Sequence, residues 1–267
     1  MSRGYIIPDR EDMERSVCLA GKYGCAFEYN DFFKPEVLDN PKKQEEIINF
    51  YAKYRSDFSE DTMHGAFLDV TIHSSDPLIR DASILRLRQS MDIASRMGLK
   101  GVVFHTGRLG GFRASNYLRL WHDTNRRFFS ELAEEYPKQQ IYMENMFDEA
   151  PDVLAGLAEA MGEVKNFGVC LDYAHAALTD CPQQEWVQTL APYIRHIHVN
   201  DNNLKNDLHQ PIGQGKIEWK DFSRLVNEYG IKASVLVEVS GCAGQEESLE
   251  YMEHHKIYPF HGERRRD

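Results

Sequence analysis

The sequence lacks paired cysteines. Its cysteines are odd in number, lie far apart and form no CxxC pair; they are Cys18, Cys25, Cys170, Cys181 and Cys242. This spacing argues against a disulfide framework and against a zinc site built from thiolates. We therefore expect reduced thiols.

Long apolar runs are missing as well. No run of about 18 or more apolar residues occurs, which excludes a membrane-spanning helix. The N-terminus, MSRGYIIPDREDMERS, has only a short apolar patch before charged residues resume, so it lacks the apolar core of a secretory signal. We expect a cytoplasmic protein without a membrane partner.

Basic charge is scarce relative to acidic charge. The chain has 31 Lys and Arg residues against 42 Asp and Glu residues, a formal net charge of −11. This balance disfavours nonspecific attraction to nucleic acid, so we expect no nucleic-acid partner. The chain also has no internal repeat, and 267 residues lie within the range of one α/β barrel. We expect a single domain over residues 1–267.

Eight short runs of apolar, β-branched or aromatic residues alternate with stretches of helical periodicity. The runs cover residues 4–8, 25–31, 62–67, 101–107, 141–145, 168–175, 195–201 and 234–241. The intervening helices are expected to end at glycines such as Gly24 and Gly98, and one helix is expected to open on Asp81 as its N-cap. Trp121 has helical spacing with Leu118 and Phe128, which indicates a core position. The alternation predicts a (β/α)8 TIM barrel.

Polar, metal-binding types of side chain lie at or near the end of seven of the eight runs. They are Glu28, His64, His105, Glu144, Asp172 with His175, His198 with Asp201, and Glu238. In such barrels the carboxyl ends of the strands form the active site, so we expect these side chains to converge on one rim. Crowded carboxylates would repel each other unless a cation neutralised them, which favours a divalent metal site. Mixed imidazole and carboxylate ligands suit manganese, zinc, iron or cobalt.

The motifs resemble those of the xylose isomerase-like TIM-barrel superfamily, which includes sugar isomerases and epimerases, inosose dehydratases and type IV apurinic endonucleases. The resemblance extends from about residue 20 to about residue 250. It implies a metal site whose ligands come from YMEN, CLDYAH, HIHVND and LVEVSG, namely Glu144, Asp172, His198 and Glu238. It also implies one divalent ion (Mn, Zn, Co, Fe or Mg) and a small-molecule carbohydrate as substrate. Because dimers and tetramers are common among relatives, a homo-oligomer is compatible with it.

The activity that this resemblance implies is sugar, sugar-phosphate or polyol isomerisation or epimerisation. The metal would bind a carbonyl and the neighbouring hydroxyl, and a proton would move through a metal-stabilised enediolate. Glu144 and Glu238 are expected to act as acid and base. Expulsion of a hydroxyl from the same intermediate would make the protein an inosose-type dehydratase instead.

The endonuclease branch offers an alternative with three zinc ions. Its additional ligand positions have counterparts in MHGAFL, FHTG, DYAH and DLHQPIGQG, which are His64, His105, His175, Asp207 and His209. In the single-metal interpretation, these side chains bind substrate hydroxyls or relay protons.

Several departures weigh against the endonuclease. The loop NDFFKPEVLDNPKKQEE is acidic overall, and the strand ends HTG and VEVSG resemble those of the small-molecule members. The chain also departs from the ketohexose epimerases at Leu204, where those enzymes carry an arginine that binds substrate hydroxyls.

Arg108 and Arg113 in GRLGGFR are candidates for binding a phosphate or carboxylate group, with a solvated loop as the alternative.

Overall fold

The structure, a computed structural model, describes residues 4–260. Eight strands coincide with the eight apolar runs: β1 (Gly4–Ile6), β2 (Ala26–Tyr29), β3 (Thr62–His64), β4 (Gly101–His105), β5 (Gln140–Glu144), β6 (Phe167–Asp172), β7 (Ile194–Val199) and β8 (Ser234–Val237). Most are shorter than the run that predicted them.

The strands form one closed parallel barrel in sequence order, with β1 paired to β8. This confirms the predicted (β/α)8 TIM barrel. The register places His105 opposite Glu144 and Asp172 opposite His198. Because all strands run in one direction, their carboxyl ends meet at a single face, where this fold places its active sites.

Helices connect successive strands around the outside of the barrel. In the described part of the chain they are α1 (Met13–Tyr23), α2 (Pro35–Leu38), α3 (Pro41–Ala52), α4 (Pro77–Met97), α5 (Ser115–Glu135), α6 (Asp152–Ala160), α7 (Tyr173–Ala176), α8 (Gln183–Leu190), α9 (Trp219–Glu228) and α10 (Cys242–His254). None of the helices within residues 4–260 is both long and apolar enough to span a bilayer.

The helix ends follow the sequence signals with one exception. Gly24 and Gly98 end α1 and α4 with φ values of 65° and 70°, a left-handed conformation that favours glycine. The prediction that α4 opens on Asp81 was wrong, because the helix begins at Pro77. Asp76 caps it by accepting a hydrogen bond from the Leu78 N–H at 2.9 Å, and proline suits the first helical position because its N–H is not needed there.

The main apolar core lies between the barrel and the surrounding helices. Trp121 is fully buried in it, as predicted, and its indole N–H donates to the carbonyl oxygen of Thr106 at 2.9 Å. Buried polar residues of the strands include Glu28, Thr62 and His196. Thr62 and His196 bond Glu28, which in turn contacts His198 at the carboxyl end of the barrel.

Candidate metal centre

Four predicted metal ligands meet at the carboxyl end of the barrel. Glu144 and Asp172 are the last residues of β5 and β6, His198 lies in β7, and Glu238 directly follows β8. One ligand atom from each residue lies within 4.8 Å of the other three. We call these four residues the central cluster.

Each residue of the central cluster carries a buried polar atom that lacks a hydrogen-bond partner among residues 4–260. These atoms are Glu144 Oε2, Asp172 Oδ2, His198 Nδ1 and Glu238 Oε2. Unpaired buried polar atoms cost free energy, and three carboxylates beside one imidazole carry an excess of negative charge. A divalent cation held by the four atoms would remove both costs. The residues therefore fit the metal that the family resemblance implies.

The distances within the central cluster also suit a shared cation. His198 Nδ1 lies 3.3 Å from Glu238 Oε2 and 3.4 Å from Glu144 Oε2. Ligand atoms around a tetrahedral zinc ion, each about 2.0–2.2 Å from it, are separated by about 3.4 Å. These atoms are thus spaced as metal ligands are.

Protonation within the central cluster is uneven. Burial, reinforced by the charges of Glu144 and Glu238, raises the pKa of Asp172 to about 7. Burial would also raise the pKa of Glu144, but the imidazoles of His198 and His105 outweigh it and hold that pKa well below its ordinary value. Burial opposes a charge on His198, yet the surrounding acidic groups raise its pKa. Protons on Asp172 and His198 must therefore leave when a cation binds.

His64 and His105, at the ends of β3 and β4, form a second donor set with Glu144, which we call the first histidine cluster. Their Nε2 atoms are 3.0 Å apart and lie 3.6 Å and 3.4 Å from Glu144 Oε2. His64 Nδ1 donates to the carbonyl oxygen of Gly65 at 3.0 Å. This bond directs the His64 Nε2 atom into the cluster, as the second nitrogen does in metal-ligating imidazoles.

His175, Asp207 and His209 form a third donor set, the second histidine cluster. The Nε2 atoms of His175 and His209 lie 3.3 Å and 3.2 Å from Asp207 Oδ2. Their Nδ1 atoms donate to the carbonyl oxygens of Asn145 and Glu238 at 3.0 Å and 2.9 Å. Although burial opposes it, the hydrogen bond to Asp207 raises the pKa of His209 to about 9. The nine predicted donors thus fall into three sets, two of which share Glu144, and His175 of the remaining set lies 3.5 Å from Glu144 Oε1.

Glu28 does not join the donors on the rim, contrary to the expectation that all strand-end residues converge there. It lies behind His198, with Glu28 Oε1 3.1 Å from His198 Nε2, and Glu28 Oε2 accepts hydrogen bonds from Thr62 Oγ1 at 2.7 Å and His196 Nε2 at 3.1 Å. A carboxylate behind an imidazole orients a metal-ligating ring. Glu28 therefore directs His198 Nδ1 toward the central cluster.

Asn145 is a supporting residue that the sequence reasoning missed. Its amide donates to the carbonyl oxygen of Asp172 at 3.0 Å and accepts from the Asp172 N–H at 2.9 Å. Its own carbonyl oxygen accepts from His175 Nδ1. An amide directly after the donor Glu144 was the available signal, but only the pairing of β5 with β6 shows what that amide bonds.

Cys170, His196 and His198 form a further group with metal-ligand spacing, deeper in the barrel. Both ring nitrogens of His196 are already engaged, Nδ1 with Ser234 Oγ at 2.6 Å and Nε2 with Glu28 at 3.1 Å. Burial raises the pKa of the Cys170 thiol well above its ordinary value. The group therefore serves as packing and support beneath the central cluster.

Arg108 and Arg113 lie in the loop after β4, outside the three donor sets. Arg108 is buried and contacts Asp148 at 2.7 Å and Glu149 at 2.6 Å, and Arg113 contacts Asp152 at 2.6 Å. Each guanidinium already faces a carboxylate. Their role in anion binding stays a prediction.

The chain is similar in sequence to two curated proteins and in fold to a solved structure. It is 27% identical over 210 residues to the uncharacterized protein MJ1311 of Methanocaldococcus jannaschii, covering 74% of this chain and 70% of that protein. It is 25% identical over 184 residues to the protein named Probable endonuclease 4 of Persephonella marina, covering 62% of this chain and 64% of that protein. A solved structure titled as a D-tagatose 3-epimerase-like protein has the same fold, with a TM-score of 0.74, 22% identity, and coverage of 96% of this chain and 97% of that one.

The family assignment rests on a model that covers most of the chain. Residues 24–255 match the family described as xylose isomerase-like TIM barrel. This range contains all nine predicted donors and the strands β2 to β8. The chain therefore belongs to the xylose isomerase-like TIM-barrel family, as its strand-end motifs predict.

Proposed function

We propose that this protein is a divalent-metal-dependent isomerase or epimerase of a sugar, sugar phosphate or polyol. The observation that carries the proposal is the set of four unpaired buried atoms in the central cluster, one each from Glu144, Asp172, His198 and Glu238. A single cation held by these four atoms at the carboxyl end of the barrel would satisfy them. The family resemblance implies that such a cation takes part in proton transfer.

The bound cation would polarise a substrate carbonyl and the adjacent hydroxyl, which acidifies the C–H bond between them. Glu238 and Glu144 would then remove and return the proton at opposite faces of that carbon. The Glu238 side chain is 12% exposed and that of Glu144 only 1%, so Glu238 is the more accessible of the two. We assign proton removal to Glu238.

The histidines outside the central cluster would bind the rest of the substrate. His105 and His175 lie beside Glu144, and His209 lies beside Glu238. Imidazoles at these positions can donate to or accept from sugar hydroxyls and relay protons. This arrangement supports a polyhydroxylated substrate.

Exchange of a carbon-bound proton with solvent tests the proposal. The metal-loaded protein is incubated in D2O with ketoses, inososes and sugar acids, and deuterium uptake at carbon is followed by NMR. We expect uptake with at least one substrate and a loss of roughly 100-fold or more in Glu238→Gln. Glu228→Gln, a surface carboxylate paired with Arg224, is the matched control and should exchange at the wild-type rate. Undiminished exchange in Glu238→Gln would remove that residue from the mechanism.

Phosphoester hydrolysis at three metal ions is the second candidate. The specific observation in its favour is that three donor sets lie around Glu144, which belongs to two of them and lies 3.5 Å from His175 of the third. Imidazoles are held by carbonyl oxygens in two of the sets. Similarity to an endonuclease 4 supports it. Elemental analysis separates the candidates: one tightly bound ion favours the isomerase, whereas three zinc ions together with cleavage of an abasic-site duplex would favour the hydrolase.

A further inference from the structure

The loop between β7 and α9 carries two donors but has almost no regular structure. It covers residues 200–218, and within it a bridge joins Asp201 to Gln210. Asp207 and His209 lie between these two bridged residues. Long irregular loops in compact domains are uncommon unless they serve a function, and donors on such a loop need something to hold them.

Asp201 supplies that support from a fully buried position. Its Oδ1 accepts hydrogen bonds from the backbone N–H groups of Asn202 at 2.9 Å and Ile217 at 3.2 Å. Its Oδ2 accepts from the N–H of Gly213 at 2.8 Å and from the indole N–H of Trp219 at 2.9 Å. One carboxylate therefore joins the beginning of the loop to its end and to α9.

The backbone near Asp201 is also closely packed, both at Gly215 and at Gln210. A Cβ at Gly215 would lie 2.2 Å from Asp201 Oδ1 and 2.4 Å from the carbonyl oxygen of Asn202, so only glycine fits there. Toward Asp207 and His209, the backbone of Asp201 forms two hydrogen bonds with the backbone of Gln210, at 2.8 Å and 2.9 Å. Because Gln210 directly follows His209, these bonds place the imidazole.

His209 shows that its position is imposed by its surroundings. Its φ of 46° lies in the left-handed region, which a residue other than glycine adopts only where neighbouring structure fixes it. Its Nδ1 then reaches the carbonyl oxygen of Glu238 at 2.9 Å, and its Nε2 reaches Asp207 at 3.2 Å. Release of the loop would lose both contacts.

We propose that Asp201 is a positioning residue that holds Asp207 and His209 opposite His175 and thereby completes the second histidine cluster. None of the donor atoms of the three clusters is among its hydrogen-bond partners within the described range. Its significance for activity rests on the proposed function, because the cluster would bind a substrate hydroxyl or a further cation there. The positioning itself can be measured with zinc alone.

The test is zinc titration of the metal-stripped full-length protein, followed by calorimetry and elemental analysis. Wild-type protein should take up zinc at the central cluster and, more weakly, at the second histidine cluster. In Asp201→Asn, the NH2 group of the amide replaces a carboxylate oxygen that accepted hydrogen bonds from N–H groups of the loop. Those bonds are lost and the loop is held less firmly, so the weaker zinc should bind at least about tenfold less tightly. Affinity at the central cluster should stay within about twofold.

Comparison with His209→Asn shows whether Asp201 acts through the cluster. The two single variants should lose the same zinc, and the double variant should lose no more than His209→Asn alone, because both changes disable one unit. Asp221→Asn, an isosteric change at an exposed aspartate of α9, is the control and should bind zinc as wild type does. If Asp201→Asn does not fold, Trp219→Phe removes the indole N–H that donates to Asp201 Oδ2 and should cause a smaller loss at the same cluster.

Three results would overturn the inference: a wild-type protein that takes up no second, weaker zinc even when zinc is in excess, an Asp201→Asn protein that keeps the weaker zinc at full affinity, or equal losses at both clusters. Failure of the proposed function is distinguishable from these. It would appear as absent proton exchange in a protein whose zinc binding follows the pattern above.

Discussion

The central cluster and the second histidine cluster are built from the same kinds of side chain but differ in how those side chains are satisfied. In the central cluster, four buried atoms have no hydrogen-bond partner in residues 4–260. In the second histidine cluster, Asp207 accepts from both imidazoles. In the metal-free protein, protons on Asp172 and His198 offset part of the acidic charge of the central cluster, but its four buried atoms stay without a hydrogen-bond partner in the described range. In the second histidine cluster, hydrogen bonds to Asp207 already engage both imidazoles. If the proposed metal site is correct, this difference favours one tightly bound ion in the central cluster, which is the outcome that favours the isomerase over the hydrolase.

The largest effect is expected from Asp172→Asn, which removes a charge from the central cluster. The amide oxygen can still accept from the His175 N–H, as Asp172 Oδ1 does at 2.6 Å, so the start of α7 should survive. Zinc affinity at the central cluster should fall by more than the roughly 10- to 100-fold that loss of an outer partner costs. Calorimetry of metal-stripped protein measures it. Asp180→Asn at an exposed position should bind normally, and normal binding by Asp172→Asn as well would show that Asp172 is not a ligand.

Glu28→Gln should weaken the central cluster less, because it changes only the partner behind His198. The amide can still accept from Thr62 but no longer provides a negative charge 3.1 Å from His198 Nε2. Zinc affinity at the central cluster should drop about 10- to 100-fold, and that of the second histidine cluster should not change. Ser234→Ala removes the hydroxyl that bonds His196 and the carbonyl oxygen of Arg195 but bonds no residue of the central cluster in the described chain, so it is the control. Equal losses at both clusters would mean that Glu28 supports the fold in general.

Protonation of His209 in the second histidine cluster should make the free energy of unfolding of the metal-free protein depend on pH. The pKa of His209 is raised from 6.5 to about 9, chiefly by Asp207 against opposing burial. A raised pKa in the folded state stabilises the fold fully below pH 6.5, and this stabilisation is lost as the pH rises to about 9. The Tm difference between wild type and His209→Asn should therefore shrink across this window. The effect is modest because the side chain is 35% exposed, and a pH-independent difference would refute it.

The smallest effect is expected at Arg113, which lies outside both clusters. Its exposed ion pair with Asp152 should contribute only about 0–1 kcal/mol to the free energy of unfolding, and Arg113→Ala should leave zinc binding unchanged. If the loop after β4 binds an anion as predicted, the variant should raise KM for a phosphorylated sugar more than for its unphosphorylated analogue. Equal KM values would end the anion-binding hypothesis for Arg113.

The strand-end donors could be predicted from the sequence because they follow a local rule. Each lies at or next to the end of a short apolar run, and parallel strands bring such ends to one face. Glu28 and Asp201 satisfied the same rule and were expected to join them, but one supports His198 from behind and the other holds the loop after β7. The rule places a residue near the rim but does not say in which direction its side chain points.

The long-range hydrogen-bond partners of these residues could not be predicted from the sequence, for a physical reason. Whether a carboxylate is a ligand, a ring-orienting partner or a loop support depends on which donors surround it, and those donors come from residues far along the chain, such as His196 for Glu28 and Trp219 for Asp201. By itself the sequence determined the barrel, because hydrophobic periodicity and glycine stops are local, and it determined the candidate ligands. Tertiary structure alone decided that those ligands divide into three sets, two of them sharing Glu144, and that each residue of the central set has a buried atom without a hydrogen-bond partner in the described chain.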